Sequence, residues 1–333
     1  MGKAKNILTS RTAKRKLGIV KRMVFTLVAV TIFFALAETG SRALLTAHFR
    51  HKYTQIFKDY NVPLEDGWGE RLDFHPMYFW LWKGGTRFRR GVVPKEKPEG
   101  MVRIITLGDS TCWGVLVDRE KTYSALLEKR LQEQFGADKV QVLNGGVLGY
   151  SSLQILRYLQ YDLAAFSPDI VIIKAAWDDS PPGTDPYIVE QEVDDPGLSE
   201  MLFRSAAYYL LKYAVISVRN RIEAADKPQR VISNHDLLAD LAEERGYDLI
   251  FVEYPVKVGE GLAAHIDVDP ANRRRIWPAP FVPLLEPFLE SGLTPDQFLF
   301  DHVHLSEAGH KVVADAIYGE VAKKVENRLK PTK

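Results

Sequence analysis

MVRIITLGDST, residues 101–111, joins a predominantly apolar run, Val102–Leu107, to the turn residues Gly108-Asp109-Ser110. A short apolar run bounded by such residues is expected to be a strand buried on both faces. It leaves Ser110 at the strand's C-terminal tip. Downstream, helix and strand patterns alternate. Tyr123–Phe135 carries apolar residues at helical spacing after Lys121-Thr122. Val140–Leu143 reads as a second strand followed by a glycine-rich turn, Leu153–Phe166 as a helix, and Ile170–Ala176 as a third strand. Asp236–Arg245 reads as a helix stopped by Gly246, Leu249–Val252 as a fourth strand, and Phe298–Phe300 as a short fifth. Ser306 is placed to cap a last helix running to about Lys324. Strands alternating with helices imply a parallel sheet covered on both faces, an α/β fold of three layers. Ligands in such sheets bind beyond the C-terminal strand ends. Ser110 and Asp178 fall there.

The alternation is interrupted twice, at about 179–230 and 257–290. The first interruption opens on an acidic, proline-rich run and continues as a helix-like segment, Leu202–Ile222. The second carries Arg273-Arg274-Arg275 and Trp277. Long loops at this rim serve as lids or binding surfaces, or simply pack on the sheet.

Upstream lies a different kind of segment. Met23–Ala37 holds fifteen residues without a charge. At ~1.5 Å per residue that is about 22 Å, short of a ~30 Å hydrocarbon core. Snorkelling by Lys21 and Arg22 lets Leu17–Val20 extend one end. Ala43–Ala47 extends the other, beyond Glu38 and Arg42, which are four apart and can pair on one helix face. The expectation is a transmembrane anchor over residues 23–47. Residues 1–22 hold eight Lys or Arg and no acid, which favours a cytoplasmic tail and an extracytoplasmic body. A cleaved signal peptide ending near Ala35-Leu36-Ala37 and an amphipathic surface helix are the alternatives. Residues 48–100 read as a connector, either with Trp80 and Trp82 near the headgroups or as a hairpin turning at Gly84-Gly85. Residues 101–330 form the main domain.

The net charge of +1 conceals a body that is seven units negative once the basic tail is set aside, which argues against a nucleic-acid partner. The 333 residues are 46% hydrophobic, enough for an ordinary core. Cys112 is the single cysteine, so stability cannot come from an internal disulfide.

The chemistry lies in Ser110 and in Asp301-His302-Val303-His304. A serine hydroxyl is a weak nucleophile until a base takes its proton. Imidazole suits that task, and a carboxylate on its other nitrogen fixes the tautomer. Asp301 and His304, three apart before a helix, supply both. No Gly-x-Ser-x-Gly surrounds Ser110, so the α/β-hydrolase nucleophile elbow is not offered. Asp301, His302, His304 and His310 also allow a metal-ligand reading, though no Glu or Cys cluster accompanies them. His304 as a purely structural histidine is a further alternative. His48, His51, His75, His235 and His265 read as surface or packing residues. Cys112, two past Ser110, reads as a small packing residue, and Asp109 as a turn former. Trp113, Trp177 and Trp277 read either as packing residues or as exposed rings that stack on sugars.

Three blocks together resemble the SGNH (GDSL) hydrolases, a flavodoxin-like superfamily of esterases, lipases, polysaccharide deacetylases and some acyltransferases. They are Gly108-Asp109-Ser110, Asn144-Gly145-Gly146-Val147-Leu148-Gly149, and Asp301 through His304. The resemblance covers about residues 101–325. It implies Ser110 as nucleophile and, through its backbone N–H, oxyanion donor. It likewise implies Gly146 as second donor, His304 as base and Asp301 as its orienting group, with no metal or organic cofactor. The third block departs from the family. Where Gly-x-Asn-Asp is usual, this chain has Ala176-Trp177-Asp178-Asp179. An ionised Asp178 cannot donate to an oxyanion; a protonated one can, given a strongly raised pKa. The resemblance thus implies a serine esterase removing O-acyl groups, acetyl in the first instance, from a surface or cell-wall polysaccharide, and the apolar N-terminal segment adds the expectation that it is membrane-anchored. An O-acyltransferase using the same acyl-enzyme, and a catalytically weak binding or assembly component spoiled at Asp178, are its rivals.

Overall fold

A computed structural model of the chain describes residues 2–59, 72–75, 79–82, 87–174, 205–211, 227–252, 255–264 and 279–330. Asp178, Trp177, Trp277 and Gly84-Gly85 lie outside the described residues.

The sheet begins where the sequence places it. Strand β3 (Val102–Gly108) pairs in parallel with β4 (Val140–Asn144) on one side and β5 (Ile170–Lys174) on the other. Next come β6 (Asp248–Val252) and β9 (Phe281–Val282), also parallel, giving the order β4-β3-β5-β6-β9. This is the flavodoxin-like order, and its topological switch falls between β3 and β5, beside Ser110. Side chains alternate across the strands because the strand period is two. Ile105, Leu107, Val171 and Ile173 enter one core, while Val102, Ile104, Ile170 and Ile172 enter the other. Helices α4 (Ser152–Tyr161) and α5 (Lys227–Arg245) cover the first face. Helices α3 (Tyr123–Phe135) and α8 (Glu307–Leu329) cover the second.

Local signals fix most boundaries. The Thr122 side chain caps α3, a Ser151/Gln154 capping box starts α4, and Ser306 Oγ accepts the Gly309 N–H at 3.1 Å to start α8. Helix α4 ends at Tyr161 and Leu163–Phe166 tightens into a 3₁₀ turn, so the single helix expected over Leu153–Phe166 is two elements. Helix α8 runs past Lys324 to Leu329.

The fifth strand is not Phe298–Phe300. Pro295 sits in the first turn of a short helix, α7 (Pro295–Phe298), where its missing N–H costs nothing, and the Thr294 N–H donates to Gln297 Oε1 at 2.9 Å. Leu299 then forms only an isolated bridge to Leu305. The fifth strand is β9, two residues between Pro280 and Pro283, followed by α6 (Leu285–Glu290).

At the N-terminal side, α1 spans Gly2–Asp59, about 87 Å at 1.5 Å per residue. Within it Gly18–His48 is long and apolar enough to cross a membrane. A hairpin of β1 (Leu72–His75) and β2 (Phe79–Trp82) follows, reversing between His75 and Phe79. Trp82 is buried in the same core as Leu45, Leu81 and Phe88, so its ring packs inside the protein. A second hairpin, β7 (Pro255–Val258) with β8 (Gly261–Ala264), lies beside the 301–304 loop, where the Lys257 N–H donates to His302 O at 2.9 Å.

Candidate active site

Helix α2 (Ser110–Trp113) springs directly from β3. Asp109 is its N-cap and accepts the Thr111 N–H at 2.8 Å and the Thr111 hydroxyl at 2.9 Å through Oδ1. The sharp turn needs glycine at 108, because a Cβ there would lie 2.3 Å from Lys174 O and 2.7 Å from Cys112 Cβ. Ser110 therefore stands on the first helical position, at the sheet rim.

The 301–304 loop is held over that rim by Asp301. One carboxylate oxygen accepts the N–H groups of Val303 (2.8 Å) and His304 (2.7 Å), and the other meets His304 Nδ1 at 2.7 Å. His304 Nε2 lies 2.8 Å from Ser110 Oγ. The structure thus brings Ser110, His304 and Asp301 into one bonded line from positions up to 194 residues apart. His304 is buried and Asp301 nearly so, with side chains 11% and 18% exposed, so the line is shielded from competing water. Burial alone would raise the Asp301 carboxyl. Hydrogen bonds and charge attraction from His304, with the backbone N–H groups of His304 and Val303, outweigh it and hold the carboxyl down to about 2. Asp301 is therefore an acceptor at any physiological pH.

Gly146 lies against the other side of α2. A Cβ on it would sit 2.5 Å from the Trp113 nitrogen, so only glycine allows this approach. Its N–H donates to Asn144 Oδ1 at 3.0 Å, while Asn144 Nδ2 donates to Cys112 O at 2.8 Å. Serving an oxyanion would require Gly146 to share that bond.

The histidines offered as metal ligands do not converge. Both ring nitrogens of His304 face Asp301 and Ser110. His310 is fully buried on α8, stacked on Tyr123 with ring centroids 5.8 Å apart, and its Nδ1 accepts the Tyr123 N–H at 3.1 Å. Burial, then Lys174 and Arg89, hold its pKa well below the usual imidazole value. Among the described residues no group of three or more His, Cys, Asp or Glu gathers at one point. His235 is also fully buried, against Phe251. Cys112 is buried and bonded by the Tyr123 hydroxyl at 2.9 Å; burial pushes its thiol up to about 12, as befits a packing residue.

Of the two readings of Trp113, the structure selects packing: it is 5% exposed, with its ring centroid 4.1 Å from that of Trp82, and does not offer its face to a sugar.

Three residues to which sequence reasoning gave no role at the site support the rim. Trp82 Nε1 donates to Gly146 O at 3.3 Å. Arg89 donates to the carbonyls of Trp113, Gly114 (2.7 Å) and Val117, pinning the end of α2. Lys174, at the end of β5, is fully buried and reaches Thr111 Oγ1 at 3.0 Å. A lysine closing the run IVIIK was the available signal: a charge at the end of a strand expected to be buried.

The chain matches the GDSL-like Lipase/Acylhydrolase family over residues 106–312. No curated protein matches it. Solved structures to which the chain is similar include LAE5, an alpha/beta hydrolase enzyme from the metagenome of Lake Arreo, Spain, at 16% identity, covering 69% of this chain and 97% of that one with a TM-score of 0.43. The acetyl xylan esterase AlAXEase is 16% identical, covering 66% of this chain and 100% of its own, TM-score 0.43. A variant of Axe2, an acetyl xylan esterase from Geobacillus stearothermophilus, is 17% identical, covering 72% and 100%, TM-score 0.41. With the family match spanning more than half of the 333 residues, the chain belongs to the GDSL-like lipase/acylhydrolase family, hydrolases of ester bonds.

Proposed function

We propose that this protein is a membrane-anchored serine esterase that removes O-acyl groups, with Ser110 as nucleophile, His304 as general base and Asp301 as the group that orients it. The single observation that carries the reading is the bonded line from Asp301 through His304 to Ser110 Oγ, with contacts of 2.7 and 2.8 Å.

In this mechanism Ser110 Oγ attacks the ester carbonyl carbon while its proton passes to His304 Nε2. Asp301 stabilises the resulting imidazolium. The negative charge on the carbonyl oxygen meets the Ser110 N–H, which as a first-turn N–H has no intrahelical acceptor, and the Gly146 N–H shared with Asn144 Oδ1. The tetrahedral centre collapses, the alkoxide leaves with the proton from His304, and an acyl group remains on Ser110. Water, deprotonated by His304, attacks that acyl group; the carboxylic acid departs and Ser110 recovers its proton. No step calls for a metal or organic cofactor. Asp178 is read as the third oxyanion residue, effective only when protonated.

The Gly18–His48 segment supports the anchor, with residues 1–22 read as the cytoplasmic tail and the domain on the outer side of the membrane. The acylated carbohydrate substrate rests on the family resemblance alone.

The test is hydrolysis of a chromogenic acetyl ester by the full-length protein in detergent, compared with Ser110→Ala. The variant is expected to lose nearly all activity; equal rates would sink the esterase reading. Product analysis with and without a carbohydrate acceptor separates the hydrolase from the acyltransferase.

A further inference from the structure

The outer end of the apolar helix is not a loose tether. Gly18–Ala37 is twenty residues, about 30 Å of helix, which matches a ~30 Å hydrocarbon core. Glu38 follows at the boundary. A carboxylate there is costly unless its oxygens are filled. They are filled largely from the distant domain. Oε1 accepts Arg42 Nε at 2.7 Å and the Ala206 N–H at 3.0 Å. Oε2 accepts the Ser205 hydroxyl at 2.7 Å and the Ala207 N–H at 3.2 Å. Seven residues on, Leu45 is 5% exposed and shares a core with Trp82, Ala206 and Tyr209. Seven residues are nearly two full turns, so Glu38 and Leu45 lie on one helix face. The domain grips that face at two levels.

From Leu45 the packing continues through the shared core to Trp82, which packs against Trp113 of the Ser110 helix and donates to Gly146 O. Leu44, next to buried Leu45, and Leu211, on the segment that holds Glu38 and packs Tyr209 beside Leu45, present apolar side chains to the outside, 61% and 65% exposed, as do the apolar residues of Ile19–Leu36.

We infer that the catalytic domain rests directly on the phospholipid headgroup layer through the face built on residues 205–211, clamped there by Glu38, so that the Ser110 rim works at the membrane surface. This inference rests on the reading of Gly18–His48 as a membrane span. The partner is the lipid surface itself, met by Leu44, Leu211 and the outer end of α1.

The test uses the full-length protein in phosphatidylcholine vesicles carrying a lipid with a spin-label quencher just below the headgroup. Leu211→Cys and, as a control, Glu326→Cys on the exposed end of α8 are labelled with an environment-sensitive fluorophore; buried Cys112 stays unlabelled. The label at 211 is expected to be quenched and the label at 326 not. Adding Glu38→Ala is expected to remove most of the quenching at 211 while the protein stays in the alkali-resistant membrane fraction, and Glu38→Gln, which keeps one acceptor oxygen, to remove part of it. Equal quenching at 211 and 326, or quenching at 211 untouched by both Glu38 variants, would overturn the clamp while leaving the anchor intact. Release of the unmodified chain by alkaline carbonate would overturn the anchor, and the clamp with it.

Discussion

The Nζ of Lys174, the last residue of β5, lies 3.0 Å from Oγ1 of Thr111, the residue after Ser110. Thr111 Oγ1 in turn donates to Asp109 Oδ1 at 2.9 Å, and Asp109 caps the helix that carries Ser110. A fully buried ammonium is thus wired through one hydroxyl to the carboxylate that sets the turn of Ser110, the proposed nucleophile. Lys174→Met, similar in length but unable to donate, is expected to lower kcat on the order of tenfold with KM little changed, since it removes a buried charged hydrogen bond worth about 1.5–3 kcal/mol that holds Thr111 beside Ser110. Steady-state kinetics decide; an unchanged kcat would show that Lys174 is only filler.

Lys174 also sets a pH dependence of stability. Burial lowers its pKa to about 8, against the attraction of Asp109 and Cys112, with His310 as its other titratable neighbour. An unfolded lysine titrates near 10.4. Between about pH 8 and 10.4 the unfolded chain therefore binds more protons than the folded one, and this residue's contribution to stability rises with pH across that window. Urea unfolding at several pH values is expected to show that rise in the native sequence relative to Lys174→Met. Parallel curves would contradict it.

Asp301→Asn keeps the size of the side chain but can present an amide N–H to His304 and so favours the wrong tautomer. A loss of activity on the order of 10³–10⁴ is expected. The Asp301 carboxyl, held at about 2, adds stability that is fully present above the ordinary carboxyl range and lost as pH falls through about 2. Acid unfolding of the variant is expected to lack that component.

Gly146→Ala places a methyl group 2.5 Å from the Trp113 nitrogen. Because α2 must shift to admit it, a destabilisation of about 1–3 kcal/mol is expected together with loss of activity. A variant with unchanged melting and rate would mean that the 146 turn and α2 are not in close contact.

Asp178→Asn restores the residue type usual in the family and needs no raised pKa to donate. Esterase activity is expected to be kept or to rise, most of all at neutral pH. A large loss would show that the carboxylate itself is needed.

Much of this was legible in the sequence. The β3 strand and its Gly108-Asp109-Ser110 turn were, because an apolar run and a tight glycine turn are local facts. Asp301 and His304 were legible for the same reason, since three residues of loop fix their relation. The fifth strand was not. Two residues between prolines have no period to read, whereas the apolar Phe298–Phe300 imitates a strand unless Thr294, Pro295 and Gln297 are recognised as a helix start. The two readings of Trp113 could not be separated locally, because its cover, Trp82, comes from a hairpin 31 residues away in the chain. Glu38 was correctly paired with Arg42 by spacing, but its bonds to Ser205, Ala206 and Ala207 span up to 169 residues and leave no local trace. Lys174 was visible as a charge, but whether a lysine ends a strand or is buried beneath a rim depends on what covers it.

The most direct measurement is trapping the acyl-enzyme. Full-length protein is mixed with a chromogenic acetyl ester, quenched in acid within the first turnovers, digested and analysed by mass spectrometry. The acetyl group is expected on Ser110 in the unmodified chain and to be absent there in His304→Ala. An acetyl group on another residue, or on Ser110 to the same extent without His304, would contradict the proposed chemistry.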